Sequence, residues 1–333
     1  MILVTGATGL VGSHLLLDLV LKGEKVRALK RTNSDLTHVV NLFSSHAGLL
    51  ETIEWADGDV LDIFSLGEAF KGIKKVYHCA AFVSFLPQEA ELMLKTNIDG
   101  TANVVNLCLE NKMEKLCHVS SVAAINRINE DEIIDENTQW KISKQNSNYA
   151  ISKYGAEREV WRGIGEGLNA VIVNPTIIIG PGNWKTGSTV MFHEVWKGLK
   201  FYTNGAMGFV DVKDVTKAMV ALMESSISNE RFIINSENLT FRKVFDWIAE
   251  GLNKPKPSVY ANGFLRGVAW RTEAVKNIMF KTHPLITKET ALSAGKKVLF
   301  SNEKIKKEIG INFTPVKDSV NRTCEVFLRE RKT

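Results

Sequence analysis

Residues 2–12 read Ile-Leu-Val-Thr-Gly-Ala-Thr-Gly-Leu-Val-Gly, "ILVTGATGLVG", and this stretch decides the fold. An apolar run leads directly into glycines at positions 6, 9 and 12, and an apolar segment from Ser13 to Leu21 follows, ending at Gly23. That order predicts a strand, a tight turn and a helix closed by a left-handed cap. A turn without side chains lets backbone N–H groups approach a pyrophosphate, and the helix N-terminus adds about half a positive charge directed at it. The spacing is one residue wider at its start than the common Gly-x-Gly-x-x-Gly. A turn needed only for packing would read the same way, but its position after the first strand favours a dinucleotide site made by Thr5, Gly6, Thr8, Gly9, Leu10, Val11 and Gly12.

Outward from this turn, short apolar runs alternate with longer amphipathic stretches to about residue 175. Expected strands are Ile2 to Val4, Val26 to Leu29, Ile53 to Ala56, Val76 to Cys79, Leu116 to Val119 and Val171 to Val173. Expected helices are Ser13 to Leu21, Ser65 to Phe70, Glu89 to Glu110 and Asn146 to Gly165. Repeated βα units of this kind build an α/β doubly wound parallel sheet. Beyond Pro175 the pattern loosens through "GPGNWKTGS", and a short strand is expected at Arg231 to Ile234. Residues 1–175 with about 209–235 are therefore expected to form the nucleotide-binding domain, and about 176–208 with 236–333 a smaller substrate-binding lobe.

With 333 residues and 44% hydrophobic content the chain can bury a substantial core. Its net charge of +5 is spread over scattered Lys and Arg residues, which suits a solvated surface and argues against nucleic-acid binding. Cys79, Cys108, Cys117 and Cys324 lack ligand spacing and read as reduced, packed thiols; no metal is expected, and His78 and His118 are expected to be hydrogen-bonded core histidines. Apolar sequence begins at Ile2 and no run reaches membrane length, so a cytoplasmic protein that is neither exported nor membrane-bound is expected.

The end of the second strand addresses the choice of dinucleotide. Sheets that bind NAD usually place an acidic residue there for the ribose hydroxyls. Here Lys30 and Arg31 occupy the place, and basic groups neutralise a 2′-phosphate that a carboxylate would repel. NADP(H) is the expected cofactor, with NAD(H) second. Asp59, followed by Val60, is placed to meet the adenine edge or to cap the next helix.

In order, "TGATGLVG", "GDVLD", "HCAA" (78–81), "NIDGT" (97–101), "VSSVAA" (119–124), "YAISK" (149–153), "NPTIIIGP" (174–181) and "FVDVKDV" (209–215) span most of the chain. In this series the sequence resembles the extended short-chain dehydrogenase/reductases, a grouping that includes nucleotide-sugar epimerases and dehydratases, and is most similar to dihydroflavonol-reductase-like enzymes. The resemblance implies a catalytic Ser121, Tyr149 and Lys153, with Ser121 preferred over Ser120. It implies that Ala80 and Ala81 line the cofactor, that Asn97 supports the active-site helix, and that Pro175, Thr176 and Ile177 abut the nicotinamide. It also implies a homodimer through the helix carrying Tyr149 and its neighbour.

The chemistry is coherent with these residues. A tyrosine can give a proton to a carbonyl oxygen, and an ammonium four residues along the same helix face favours the phenolate when the reaction reverses. Three functions are compatible with the sequence. The first is an NADP(H)-dependent carbonyl reductase, with the apolar "FVSFLP" at 82–87 walling the substrate. The second is a nucleotide-sugar epimerase or dehydratase, for which Asn174 would bind the diphosphate, although Gly182 stands where that group has the arginine of "GPR". The third is a non-catalytic NADP sensor.

Overall fold

A computed structural model describes residues 1–125, 132–143, 146–263 and 295–331; residues 264–294 of the expected second lobe lie outside the described residues. The first half runs β1 (Ile2–Thr5), α1 (Leu10–Leu21), β2 (Val26–Lys30), α2 (Thr37–Leu42), α3 (Ala47–Leu50), β3 (Glu54–Asp57), α4 (Ile63–Phe70), β4 (Lys75–His78), α5 (Ala90–Glu110) and β5 (Lys115–Val119). There follow β6 (Ile133–Ile134), α6 (Asn148–Gly165), β7 (Ala170–Pro175), β8 (Ile177–Ile179), α7 (Val190–Trp196), β9 (Phe201–Tyr202), β10 (Ala206–Asp211) and α8 (Val212–Glu224). The described chain closes with β11 (Glu230–Ile234), β12 (Glu237–Thr240), α9 (Phe241–Gly251), β13 (Val259–Tyr260), β14 (Leu299–Phe300) and helices Glu303–Ile309 and Val316–Glu330.

Seven parallel strands form the main sheet in the order β11-β7-β5-β4-β1-β2-β3. Side chains alternate between its faces, and both faces are covered, so β1 and β7 are buried at every position, whereas the edge strand β3 ends in exposed Glu54 and Asp57. Ile2 and Val4 enter one core with Leu15, Leu19, Val215 and Met219 of α1 and α8. Leu3 and Leu116 enter the other with Leu66, Val104 and Val160 of α4, α5 and α6. Gly23 and Gly72 take φ of +79° and +74°, the left-handed values expected where a helix is turned off.

A smaller sheet, β12-β10-β8, lies beyond the carboxyl end of β7, and its core is built from Phe192, Phe209, Ile248, Val320 and Phe327. Here the expected boundary shifts. Phe209, Val210 and Asp211 pair with Ile177, Ile178 and Ile179 of the small sheet, and the chain returns to the main layer only with α8. The "FVDVKDV" segment is thus a joint. Asp211 caps α8 by accepting from Lys213 N at 2.8 Å and ion-pairs with Arg322, while buried Asp214 accepts from Thr314 N at 2.6 Å.

No described helix is long and apolar enough to cross a membrane. Among the cations, Lys115 departs from the solvated pattern. It is 4% exposed, and its ammonium donates to the carbonyls of Leu222, Ser225 and Ile227 at 2.6, 2.9 and 2.6 Å, closing the C-terminal end of α8. Lys115→Met is expected to remove about 2–3 kcal/mol of stability, measured by urea unfolding, because charge-assisted bonds to three carbonyls at and just beyond the end of α8 are lost. An unchanged midpoint would count against this role.

Candidate active site

The carboxyl ends of β1, β4, β5 and β7 meet at one edge of the sheet, where a doubly wound fold receives its ligand. At β1 the glycine turn is packed against the exit of β4. Gly6 has φ +64°, and a Cβ on it would stand 2.5 Å from Ala80 N. A Cβ on Gly12 would overlap the Gly6 carbonyl, whereas one on exposed Gly9 would meet only that carbonyl, at 3.3 Å. Gly9 is the N-cap of α1 with no side-chain cap, and the first turn carries no acidic residue. The amides of Leu10, Val11 and Gly12 therefore keep the field of a bare helix N-terminus.

Thr5 extends this packing downward. Its hydroxyl bonds His78 Nδ1 at 2.7 Å, and His78 Nε2 bonds the Thr101 hydroxyl at 3.0 Å. Thr101 donates its proton to Asn97 O at 2.6 Å, so His78 must donate from Nε2 and accept at Nδ1. Burial holds this ring neutral, with its pKa lowered to about 3. His118 differs from expectation: it is stacked on His78 at 5.1 Å, and neither of its ring nitrogens has a hydrogen-bond partner. Its strand register places it beside another imidazole, not beside an acceptor. Among the described residues no His, Cys, Asp or Glu cluster could hold a metal, and the four thiols are free.

At the end of β5 the two serines diverge. The Ser120 hydroxyl turns inward and donates to Glu157 Oε2 at 2.6 Å. Ser121 accepts from Ala123 N at 3.1 Å, opening a short 3-10 turn, and its hydroxyl lies near enough to the Tyr149 phenol to favour the phenolate. Tyr149 lies in the first turn of α6, whose N-cap Ser147 accepts from Ala150 N at 3.0 Å. Burial raises the phenol pKa, and the nearby Ser121 hydroxyl opposes that rise. One turn further, Lys153 is 3% exposed and donates to Val119 O at 2.8 Å. Burial lowers its pKa to about 8, with Glu157 acting in the opposite sense. The Phe85 ring stands edge-on to Tyr149 at 5.6 Å, which brings the "FVSFLP" loop to the site.

Asn97 joins that loop to α6. Its side chain accepts from Phe82 N at 2.7 Å and donates to Phe82 O and Ser152 Oγ, both at 2.9 Å. Ala80 is half-buried beside Gly6, and Ala81 is exposed next to it. Pro175, Thr176 and Ile177 carry the chain from β7 into β8, with Thr176 N donating to Ile234 O at 3.1 Å.

The dinucleotide end is more mixed. Lys30 pairs with Asp57 of β3 at 2.5 Å, and Arg31 is exposed. Asp59 accepts from Leu61 N at 2.9 Å and shapes the turn, but the helix cap that follows is Asp62, accepting from Phe64 N at 3.1 Å. Val60 is buried against Gly100 of α5. Asn174, considered above for a diphosphate, is fully buried and donates to Ser121 O at 3.0 Å and Glu157 Oε2 at 2.7 Å. Sequence reasoning missed Glu157, although a carboxylate four residues after Lys153 on the same helix face was the available signal.

The family model described as "NAD dependent epimerase/dehydratase family" matches residues 2–235. The chain is 30% identical to the sterol demethylase protein B of Methylococcus capsulatus over 260 residues, 77% of this chain and 75% of that one. It is also 30% identical to a putative dihydroflavonol 4-reductase of Synechocystis over 264 residues, covering 77% and 74%. Cinnamoyl-CoA reductase 1 of Petunia hybrida matches at 30% over 339 residues, covering 97% and 90%. The crystal structure of gox2253 superposes with a TM-score of 0.82 at 32% identity, covering 99% of this chain and 98% of that one. On these grounds, and with its seven-stranded parallel sheet, the chain belongs to the NAD dependent epimerase/dehydratase family.

Proposed function

We propose that this protein is an NADP(H)-dependent carbonyl reductase in which Ser121, Tyr149 and Lys153 carry the reaction. The observation that carries the reading is the buried Lys153 ammonium, one helical turn beyond Tyr149 and anchored on Val119 O at the strand end that leads into Ser121. The nicotinamide supplies the hydride when bound. Tyr149 gives its phenolic proton to the substrate oxygen, and Ser121 donates a hydrogen bond to the same oxygen as charge gathers there. Lys153, held as a cation, stabilises the phenolate that remains. Phe85 and Val83, both partly exposed on the loop at 82–87, offer an apolar wall to the substrate. Two relatives named as reductases support net reduction. The burial of Asn174 argues against the nucleotide-sugar reading, since its amide hydrogens already serve Ser121 and Glu157. The intact Tyr-Lys pair argues against a sensor without chemistry.

The glycine turn suits the cofactor's pyrophosphate: a Cβ on Gly9 would crowd protein only at the Gly6 carbonyl, 3.3 Å away, and would otherwise rise from an exposed surface that a ligand can approach. Arg31 is the side chain proposed to meet the 2′-phosphate, with Lys30 adding charge from its pair with Asp57. A homodimer built on α5 and α6 belongs to the same proposal, supported by Leu92, Ile151 and Trp161, which these helices leave exposed.

NADPH consumption should be followed with a panel of ketones, acyl thioesters and nucleotide sugars. Tyr149→Phe is expected to lower kcat by about a hundredfold or more with NADPH affinity retained; a variant as active as the wild type would sink the assignment. Arg31→Glu should weaken NADPH binding by about tenfold or more and leave NADH nearly unchanged, whereas a wild type that prefers NADH would overturn the cofactor reading. Gly9→Ala should melt like the wild type but bind NADPH about tenfold more weakly, while Gly12→Ala should lose stability outright. Equal stability losses at the two glycines would mean the turn is a packing device alone.

A further inference from the structure

Tyr149, Lys153 and Glu157 follow one another at intervals of four along α6 and so share a face. Glu157 is 2% exposed, yet both its oxygens are fully engaged. Oε2 accepts from the Ser120 hydroxyl at 2.6 Å and Asn174 Nδ2 at 2.7 Å. Oε1 accepts from the Arg231 guanidinium at 3.1 Å and the Trp161 indole at 3.3 Å. A buried carboxylate stays charged only where an opposite charge and hydrogen bonds replace water, and Arg231, itself anchored on the carbonyls of Glu136 and Thr138, supplies the charge.

The identity of the other partners gives this ion pair a direction. Ser120 is the residue before Ser121, and Asn174 uses its amide to hold the Ser121 carbonyl as well as the carboxylate. Glu157 therefore holds the Ser120–Ser121 pair at both ends, directly through the Ser120 hydroxyl and by way of Asn174 through the Ser121 carbonyl. On its other side it lies one turn from Lys153. The remaining titratable groups facing that ammonium are Cys79 and His78 at the end of β4 and His118 on β5, and burial keeps all three neutral. Glu157 is the carboxylate whose charge favours the Lys153 ammonium.

We infer that Glu157 is a positioning residue for the proposed reaction: its carboxylate holds the Ser120–Ser121 peptide against Tyr149 and supplies the charge that keeps Lys153 an ammonium in its buried site. The inference rests on the Ser121–Tyr149–Lys153 centre proposed above. Glu157→Gln preserves size and one acceptor while removing the charge. With that charge gone the pKa of Lys153 falls further, so the cation is lost sooner as pH rises.

The alkaline limb of the kcat profile for ketone reduction should move down by about one pH unit, lowering kcat about fivefold near pH 8 and less than about 1.5-fold near pH 6. KM and NADPH affinity should hold. In lysine-labelled protein, the NMR titration midpoint of Lys153, identified with Lys153→Arg, should fall by about the same unit in Glu157→Gln. An unmoved midpoint overturns the inference whether or not a ketone is turned over, while a wild type without turnover sinks only the reductase reading. Ser120→Ala keeps the carboxylate and tests the clamp separately, also if Glu157→Gln fails to fold. It should lower kcat about three- to tenfold at every pH with the limb in place, and wild-type kcat in this variant overturns the clamp.

Discussion

No side chain fits between the turn after β1 and the end of β4, and much of the site follows from that contact. Because Gly6 lies against the Ala80 backbone, Thr5 is held over His78, and the bond between them starts a chain that continues through Thr101 and Asn97. Asn97 donates to Ser152, and Ser152 donates to the carbonyl of Tyr149 at 2.8 Å. The residue before the glycine turn and the backbone of Tyr149 are thus the ends of one buried polar run through β1, β4, α5 and α6. Such runs rigidify a core when every member is satisfied, and the tautomer of His78 makes this one complete.

A second set of buried polar contacts joins the small sheet to the large one. His14 of α1 donates to Pro181 O at 3.0 Å, linking the first helix to the "GPG" loop, and burial keeps the ring neutral with a pKa of about 4. Asp211 and Asp214 tie the start of α8 to the last helix and to Thr314. These contacts lie on the connections that cross from one layer to the other, so the cleft edge is shaped by elements distant in sequence. Specific polar pairs set orientation at such a joint, where apolar packing alone would allow sliding.

The main sheet was legible because its signal is local. A strand buried on both faces must be apolar at successive positions, and Leu116-Cys117-His118-Val119 or Val171-Ile172-Val173 can hardly be read otherwise. The glycine turn was legible because close approach excludes a Cβ at Gly6 and Gly12. The return into the small sheet was harder: Phe209, Val210 and Asp211 look like one more βα unit, and only pairing with Ile177 to Ile179 assigns them elsewhere. Asn174 looked available for a ligand because an asparagine in sequence carries no sign of where its amide points.

The sequence by itself determined the strand-turn-helix that opens the chain, the parallel sheet that follows, and the presence of a serine, a tyrosine and a lysine at spacings that could cooperate. These depend on short-range periodicity and on the steric freedom of glycine. Only the tertiary structure decided what each polar side chain faces. It turned Ser120 inward and Ser121 toward Tyr149, gave Lys115 to the end of α8, left His118 against a second imidazole, and surrounded Glu157 with donors from four parts of the chain. Those outcomes depend on burial and on partners more than a hundred residues away, where the cost of leaving water selects the neighbours that replace it.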